Sequence, residues 1–272
     1  MRTFSSIFKM NLKQQFQYRT AALSGTITQL FFGFMQISLF TAFLSTGKSD
    51  FTIPQMATYI WLQQAFYTLY KYWDCCKFEI SEKIVNGDIA YQLIRPMKVY
   101  NFWYQSVFSK SVGQMLIRAI PLVLIVVWLP AGYGLMLPAS IENFGLFLIS
   151  AVIGAFLIAS INVTSYIIVL YTLSPTGVFS FMVAVASFLA GQYVPIPMLP
   201  KAVANVLNFF PFRYVSDLPF RIYVGNINGT QALIQIAIQI CWLAAIVIIG
   251  KLVMHRKLNK LVVQGGWLYG CL

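Results

Sequence analysis

Charge is scarce in this sequence. Only 10% of its 272 residues are charged and seven are acidic, whereas soluble domains carry about 25% charged residues. The single histidine, His255, sits among Lys251, Arg256 and Lys257. No HExxH string is present, and no pair of carboxylates falls inside an apolar stretch. Metal-assisted hydrolysis and acid–base catalysis therefore have little to stand on. All seven acids lie in loops or at the ends of apolar runs, which argues against a carrier that couples to protons or sodium inside its own spans. The four cysteines (Cys75, Cys76, Cys241, Cys271) have neither metal nor disulfide spacing. The expectation is a chain that is not an enzyme, with no catalytic residue, metal or cofactor of its own.

Apolar residues are what it has in abundance. They make up 59% of the chain, with a mean hydropathy of +0.73, and several runs approach the ~20 residues that cross a bilayer. The fold class expected is an all-α polytopic membrane protein forming a single transmembrane domain over 1–272. Six transmembrane helices are predicted, at 21–45, 52–73, 105–130, 142–171, 176–192 and 230–250. The net charge of +12 would suit nucleic acid, but the basic residues gather at span ends, where they orient a chain in a membrane. No nucleic-acid partner is expected. With both termini cytoplasmic, 15 of the 19 Lys and Arg fall on the inner side and only Lys48, Lys201, Arg213 and Arg221 outside. The loop Ala131–Ile141 has no Lys or Arg and reads as external.

Residues 1–20 place Phe4, Phe8, Leu12 and Phe16 at four-residue intervals among basic residues, the pattern of an N-terminal interfacial helix rather than a signal peptide. The string AFLSTGKS after the first span mimics a phosphate-binding loop, but it follows a membrane helix instead of a strand, so no ATP site is assigned to it. In the second span Tyr59, Trp61, Gln63, Gln64, Phe66, Tyr67 and Tyr70 form a polar, aromatic face. This is either the wall of a substrate path or an aromatic belt with helix–helix hydrogen bonds. Arg118 either snorkels to the inner interface or is buried for a purpose, and Pro121 is expected to kink its span. Across 193–229, five prolines forbid one spanning helix. A short helix fits between Pro200 and Pro211, and Ser216 or Asp217 can cap another starting near Pro219. Arg213, Asp217 and Arg221 are spaced to pair, although Pro219 argues against one unbroken helix there.

The stretch Phe78–Pro96 is a polar island between apolar spans. Ile80, Ile84 and Val85 give an apolar stripe opposite a charged face. Asn86-Gly87 stops that helix, and Asp88 can cap a second one through Ile89 and Leu93. It reads either as a dock for a soluble partner or as a solvated loop carrying topogenic charge.

At these residues a resemblance emerges. The pattern Glu79…Gly87-Asp88-Ile89…Leu93…Arg95-Pro96, followed by the aromatic run Phe102, Trp103 and Tyr104, resembles the permease subunits of type-2 ABC (ATP-binding cassette) exporters, the bacterial ABC-2 family permeases. The resemblance implies a cytoplasmic coupling helix within 74–100, in which Glu79, Ile80, Lys83, Ile84, Gly87, Asp88, Arg95 and Pro96 meet a separate ATPase subunit. That subunit would bind the ATP and Mg. It also implies re-entrant extracellular helices over 193–229, between the fifth and sixth spans, with Pro195, Pro197, Phe209, Phe210 and Phe212 at an outer gate. A second permease, identical or a sister subunit, would complete the complex in a bacterial plasma membrane among its lipids. The cargo implied is amphipathic or hydrophobic (a drug, a peptide antibiotic or a lipid-like molecule), and its path is sought along Tyr59, Gln63, Phe66, Tyr67, Phe179 and Phe181. Two other readings stand beside it: a non-transporting membrane sensor or scaffold, and the substrate-binding subunit of an ATP-driven importer.

Overall fold

The computed structural model describes residues 2–17, 19–44, 51–71, 79–93, 97–130 and 132–259. The described residues are almost wholly helical and contain no strand. The helices are α1 (Arg2–Gln17), α2 (Arg19–Leu44), α3 (Ile53–Lys71), α4 (Glu79–Val85), α5 (Ile89–Leu93), α6 (Val99–Val127), α7 (Ile141–Thr172), α8 (Pro175–Leu189), α9 (Lys201–Leu207), α10 (Arg213–Tyr223) and α11 (Gly229–Leu258), with a 3₁₀ turn at Ile196–Met198 between α8 and α9. Among the described residues, four segments are long and apolar enough to cross a membrane: Ala22–Leu44, Val99–Val127, Ile141–Thr172 and Gly229–Leu258. The predicted fifth span is a shorter apolar helix of 15 residues. The predicted second span, α3, has the length but is diluted by Gln55, Gln63, Gln64 and several Thr.

Helix α7 is the axle of the bundle. It is apolar over most of its circumference, which suits either lipid or a protein core, and α3, α4, α6, α8, α10 and α11 all pack on it. Ser140 caps its start, with Oγ accepting from the Asn143 N–H at 3.0 Å. Its end is closed by Leu173 in the left-handed conformation, after which Ser174 and Pro175 begin α8. The aromatic run Phe102, Trp103 and Tyr104 lies in the same helix as the third span, α6, which also accommodates Pro121. Amphipathic α1 lies along α6, where Asn11 Nδ2 donates to Ser109 Oγ. Gly33 lets the ring of Trp61 press against the α2 backbone, while Trp61 Nε1 donates to the Tyr133 carbonyl.

The Pro-rich segment departs from expectation at one point. Ser216 and Asp217 do not cap a helix. They lie inside α10, an unbroken helix that contains Pro219. The physical reason is burial: every α10 residue except Arg221 is buried, and neighbouring helices hold the chain where an isolated peptide would break. Pro219 has no N–H for the Val215 carbonyl four residues back. That oxygen lies beside Gly154 of α7, 2.9 Å from where a Cβ would stand. One turn of backbone is thus exchanged for a close helix crossing.

Gln239 of α11 fastens the same crossing. Its Nε2 donates to the carbonyls of Tyr214 (2.7 Å) and Ser150 (2.9 Å), and its Oε1 accepts from Ser150 Oγ at 3.1 Å. Gln239→Leu keeps the volume but removes all three bonds and leaves the buried Ser150 hydroxyl without its acceptor, so it is expected to destabilise the bundle by about 1–3 kcal/mol. The check is the thermal midpoint of the purified protein in detergent. An unchanged midpoint would mean these bonds hold nothing together.

Candidate functional site

Two places have the character of a site. The first is a cavity of about 480 Å³ framed by α2, α3, α7, α8 and the start of α10. Gln29 and Gln36 of α2 lie seven residues apart, two helical turns on one face, and they meet Gln64 and Tyr67 of α3. Gln64 Nε2 donates to Gln36 Oε1 at 3.0 Å. Gln29 is 3% exposed, and neither its Nε2 nor its Oε1 has a partner. A buried primary amide with no bond costs about 1–3 kcal/mol unless something in the cavity meets it. Phe32, Met35, Leu39 and Phe40 on one side, with Val183 and Ala186 on the other, make much of the wall apolar. Thr28, Ser187, Gln192 and Tyr193 add further polar groups, and no charged side chain among the described residues lines the space. The arrangement can hold a largely apolar molecule with a few hydrogen-bonding groups; it offers nothing to balance a full charge.

The residues expected along a substrate path separate. Tyr67 lines the cavity and Phe66 packs edge-on against Phe147 and Phe220. Tyr59 is buried in the bundle, donating to Asp217 Oδ1 at 2.9 Å. Gln63 Nε2 donates to the Gly191 and Gln192 carbonyls. Phe179 is buried against Tyr166, and Phe181 faces outward, 65% exposed. Sequence reasoning does not single out Gln29 and Gln36. Two glutamines at a seven-residue interval within an otherwise apolar run were the signal that could have found them.

The second place is the island. Ile80 and Ile84 are buried on the inner face of α4, which packs on α7, and Ile89 is buried at the head of α5. Trp103 of α6, fully buried, donates from Nε1 to Gln92 Oε1 at 2.7 Å and so ties α5 down. Gly87 has φ +80°, the left-handed turn between the two helices, with open space where a Cβ would go. Glu82, Lys83, Val85, Asn86, Asp88 and Tyr91 form the exposed face. The Glu79 side chain, Arg95 and Pro96 lie outside the described residues, as do residues 45–49 of the AFLSTGKS string, whose first three residues end α2. Val85 and Tyr91, apolar yet exposed, add a sticky edge to the charged face.

At the other end of the bundle, Pro195 precedes the 3₁₀ turn and Pro197 lies inside it, Phe209 is fully outward, Phe210 half-exposed, and Phe212 reaches the cavity wall. Asp217 of α10, fully buried, accepts from Arg213 Nε (3.0 Å) and Tyr59, with Arg221 Nη1 at 3.7 Å. Ser216 Oγ donates to the Ala190 carbonyl. Burial holds the pKa of Tyr223 above the ordinary tyrosine value, and its hydroxyl donates to the Met136 carbonyl at 2.9 Å. The half-buried Arg118 guanidinium lies against Gly25 of α2.

Long apolar helices around a buried axle, with an uncharged cavity among them and a partly polar island beside them, define a multi-pass membrane protein. Comparison with protein families then identifies it: residues 27–265 match the model of the ABC-2 family transporter protein, and the chain belongs to that family. It is a permease of an ABC transporter, which implies association with an ABC ATPase subunit. Among curated proteins, none matches the chain.

Proposed function

We propose that this chain is the transmembrane subunit of an ATP-driven exporter, moving an amphipathic or hydrophobic cargo out of a bacterial cell. The observation that carries this reading is the cavity: largely apolar walls, glutamine amides and Tyr67, and no charged side chain among the described residues. In this reading α3 and α8 complete six spans, with the polar side chains of α3 shielded inside the protein. Helices α9 and α10 are the re-entrant outer elements. Both termini face the cytoplasm, where the basic end of α11 (His255, Arg256, Lys257) meets anionic lipid. The island α4–α5 is the coupling element. Its buried isoleucines transmit movement to α7 while its exposed face meets the ATPase, which supplies the ATP and Mg chemistry; this chain supplies no catalytic group.

Phe32, Met35 and Leu39 of α2 and Val183 of α8 line the cavity and are also exposed at the surface. A second permease set against this edge, identical or a sister subunit, would close the cavity into a path between the two. The test is extraction in mild detergent from the native membrane, with identification of co-purifying proteins and assay of ATP hydrolysis. The expected result is a stoichiometric ATPase subunit whose hydrolysis rises with uncharged amphipathic compounds, a rise that Gln64→Leu with Tyr67→Ala removes. A chain that purifies alone, or with a signalling partner, would favour the sensor reading instead.

A further inference from the structure

The end of the bundle where α7 and α11 begin holds a second feature that the transport reading does not use. A cavity of about 400 Å³ is lined by Asn208, Arg213, Arg221, Gln231 and Gln235, with Ile227 and Ile234 as its apolar wall. A neighbouring cavity of about 300 Å³ shares Asn208 and Arg221 and adds Lys201, Asn205 and Asn226. Among the described residues no carboxylate lines either one. Among the described residues the acid paired with these guanidiniums is Asp217, fully buried and shared between the two of them, so a net positive charge remains. Arg213 is itself only 4% exposed. Its Nε is taken by Asp217 and the Nε of Arg221 by Asn226 Oδ1. Beyond these, guanidinium donors remain to meet an anion. Asn208 Oδ1 and Gln235 Oε1, both on cavity-lining residues, are buried with no hydrogen-bond partner. Those two oxygens are acceptors and need a donor.

From this geometry we infer a binding site for a phosphate group that carries a neighbouring hydroxyl, such as a glycerol phosphate, free or as a lipid headgroup. The guanidiniums take the phosphate oxygens, the planar forked donor being matched to that group. The stranded amide oxygens of Asn208 and Gln235 take the hydroxyl hydrogens. Ile227 and Ile234 leave one wall suited to the first carbons of an acyl chain. Charge and hydroxyl are both required, which separates this site from a general attraction of basic residues for anionic membrane.

The experiment uses the full chain in neutral detergent. One arm measures binding of free glycerol 3-phosphate and of inorganic phosphate by calorimetry; the other measures retention of phosphatidylglycerol against phosphatidylcholine by native mass spectrometry. The variants are Arg221→Gln, Gln235→Leu and, at the opposite end of α11, Arg256→Gln as control. The expected result is that Arg221→Gln weakens binding about tenfold or more in whichever arm binds, the scale of one lost charge-assisted bond. Gln235→Leu is expected to weaken glycerol phosphate several-fold and leave inorganic phosphate unchanged, and Arg256→Gln to match the parent chain. Binding in the free arm alone assigns a soluble ligand; binding in the lipid arm alone assigns a headgroup. No binding in either arm, or an Arg221→Gln protein that binds like the parent, overturns the inference. Should Arg221→Gln fail to fold, Gln235→Leu decides, because it leaves the Asp217 pairs intact: equal binding of glycerol phosphate overturns the inference.

Discussion

Asp217→Ala is expected to destabilise the protein by about 3–5 kcal/mol, the range for removing one partner of a buried ion pair. Asp217 has no exposed surface and Arg213 almost none. With the carboxylate gone, Arg213 keeps a charge that water cannot reach, and Tyr59 loses the acceptor of its hydroxyl. Arg221, 24% exposed, can turn toward solvent and suffers less. The loss therefore falls on the contact between α3 and α10, which seats the inner end of the Pro-rich segment on the bundle. The melting midpoint in detergent is expected to fall by about 10 °C. Asp217→Asn keeps an acceptor for Tyr59 and should fall part of the way. Arg213→Met combined with Asp217→Leu should recover much of the loss, because replacing both charges removes the unpaired one. If Asp217→Ala melts with the parent protein, the triad is not what holds α10 in place.

Gly87→Pro is expected to abolish coupling while leaving the membrane fold standing, and it rests on the assignment of the island to the ATPase interface. Gly87 has φ +80°, whereas proline is confined near −65°. The turn between α4 and α5 cannot form around it, and the faces carrying Lys83 and Asp88 lose their relative orientation. Open space surrounds the missing Cβ, so Gly87→Ala meets no clash and pays only the conformational penalty of about 1–2 kcal/mol in an exposed turn. The expected order is therefore near-normal function for the alanine variant. The proline variant should insert normally and melt near the parent value, yet lose at least tenfold in cargo-stimulated hydrolysis by the reconstituted complex. Normal stimulation in Gly87→Pro would remove the coupling role from this island.

How much of this was legible beforehand varies by element. The stop at Gly87 could be read because a left-handed turn is a property of one residue and its neighbours. The helix between Pro200 and Pro211 was legible for the same reason, since prolines bound it locally. Helix α10 was not. Pro219 is a helix breaker in isolation, and only the packing of α7 against the freed Val215 carbonyl makes an unbroken helix the better solution. The cavity was half legible. Tyr67 and Gln64 stood out on a polar span, but Gln29 and Gln36 lie in an apolar run, and nothing local says which helix faces them. Tyr59 and Tyr67 look equivalent in the sequence, yet one serves Asp217 and the other a cavity wall.

Composition, periodicity and turn chemistry were enough to determine an all-helical membrane chain, its apolar segments and its polar island, because each depends on residues close together along the chain. The four-residue spacing of Arg213, Asp217 and Arg221 likewise marked a possible pairing. Only the tertiary structure decided that the triad is buried, that α7 is the axle, and that two glutamines of α2 meet a glutamine and a tyrosine of α3. Those outcomes depend on the rotation of each helix about its own axis. Hydrophobicity alone sets that rotation weakly where lipid and protein core are equally apolar; small residues and buried hydrogen bonds such as those of Gly33, Gly154 and Gln239 set it instead.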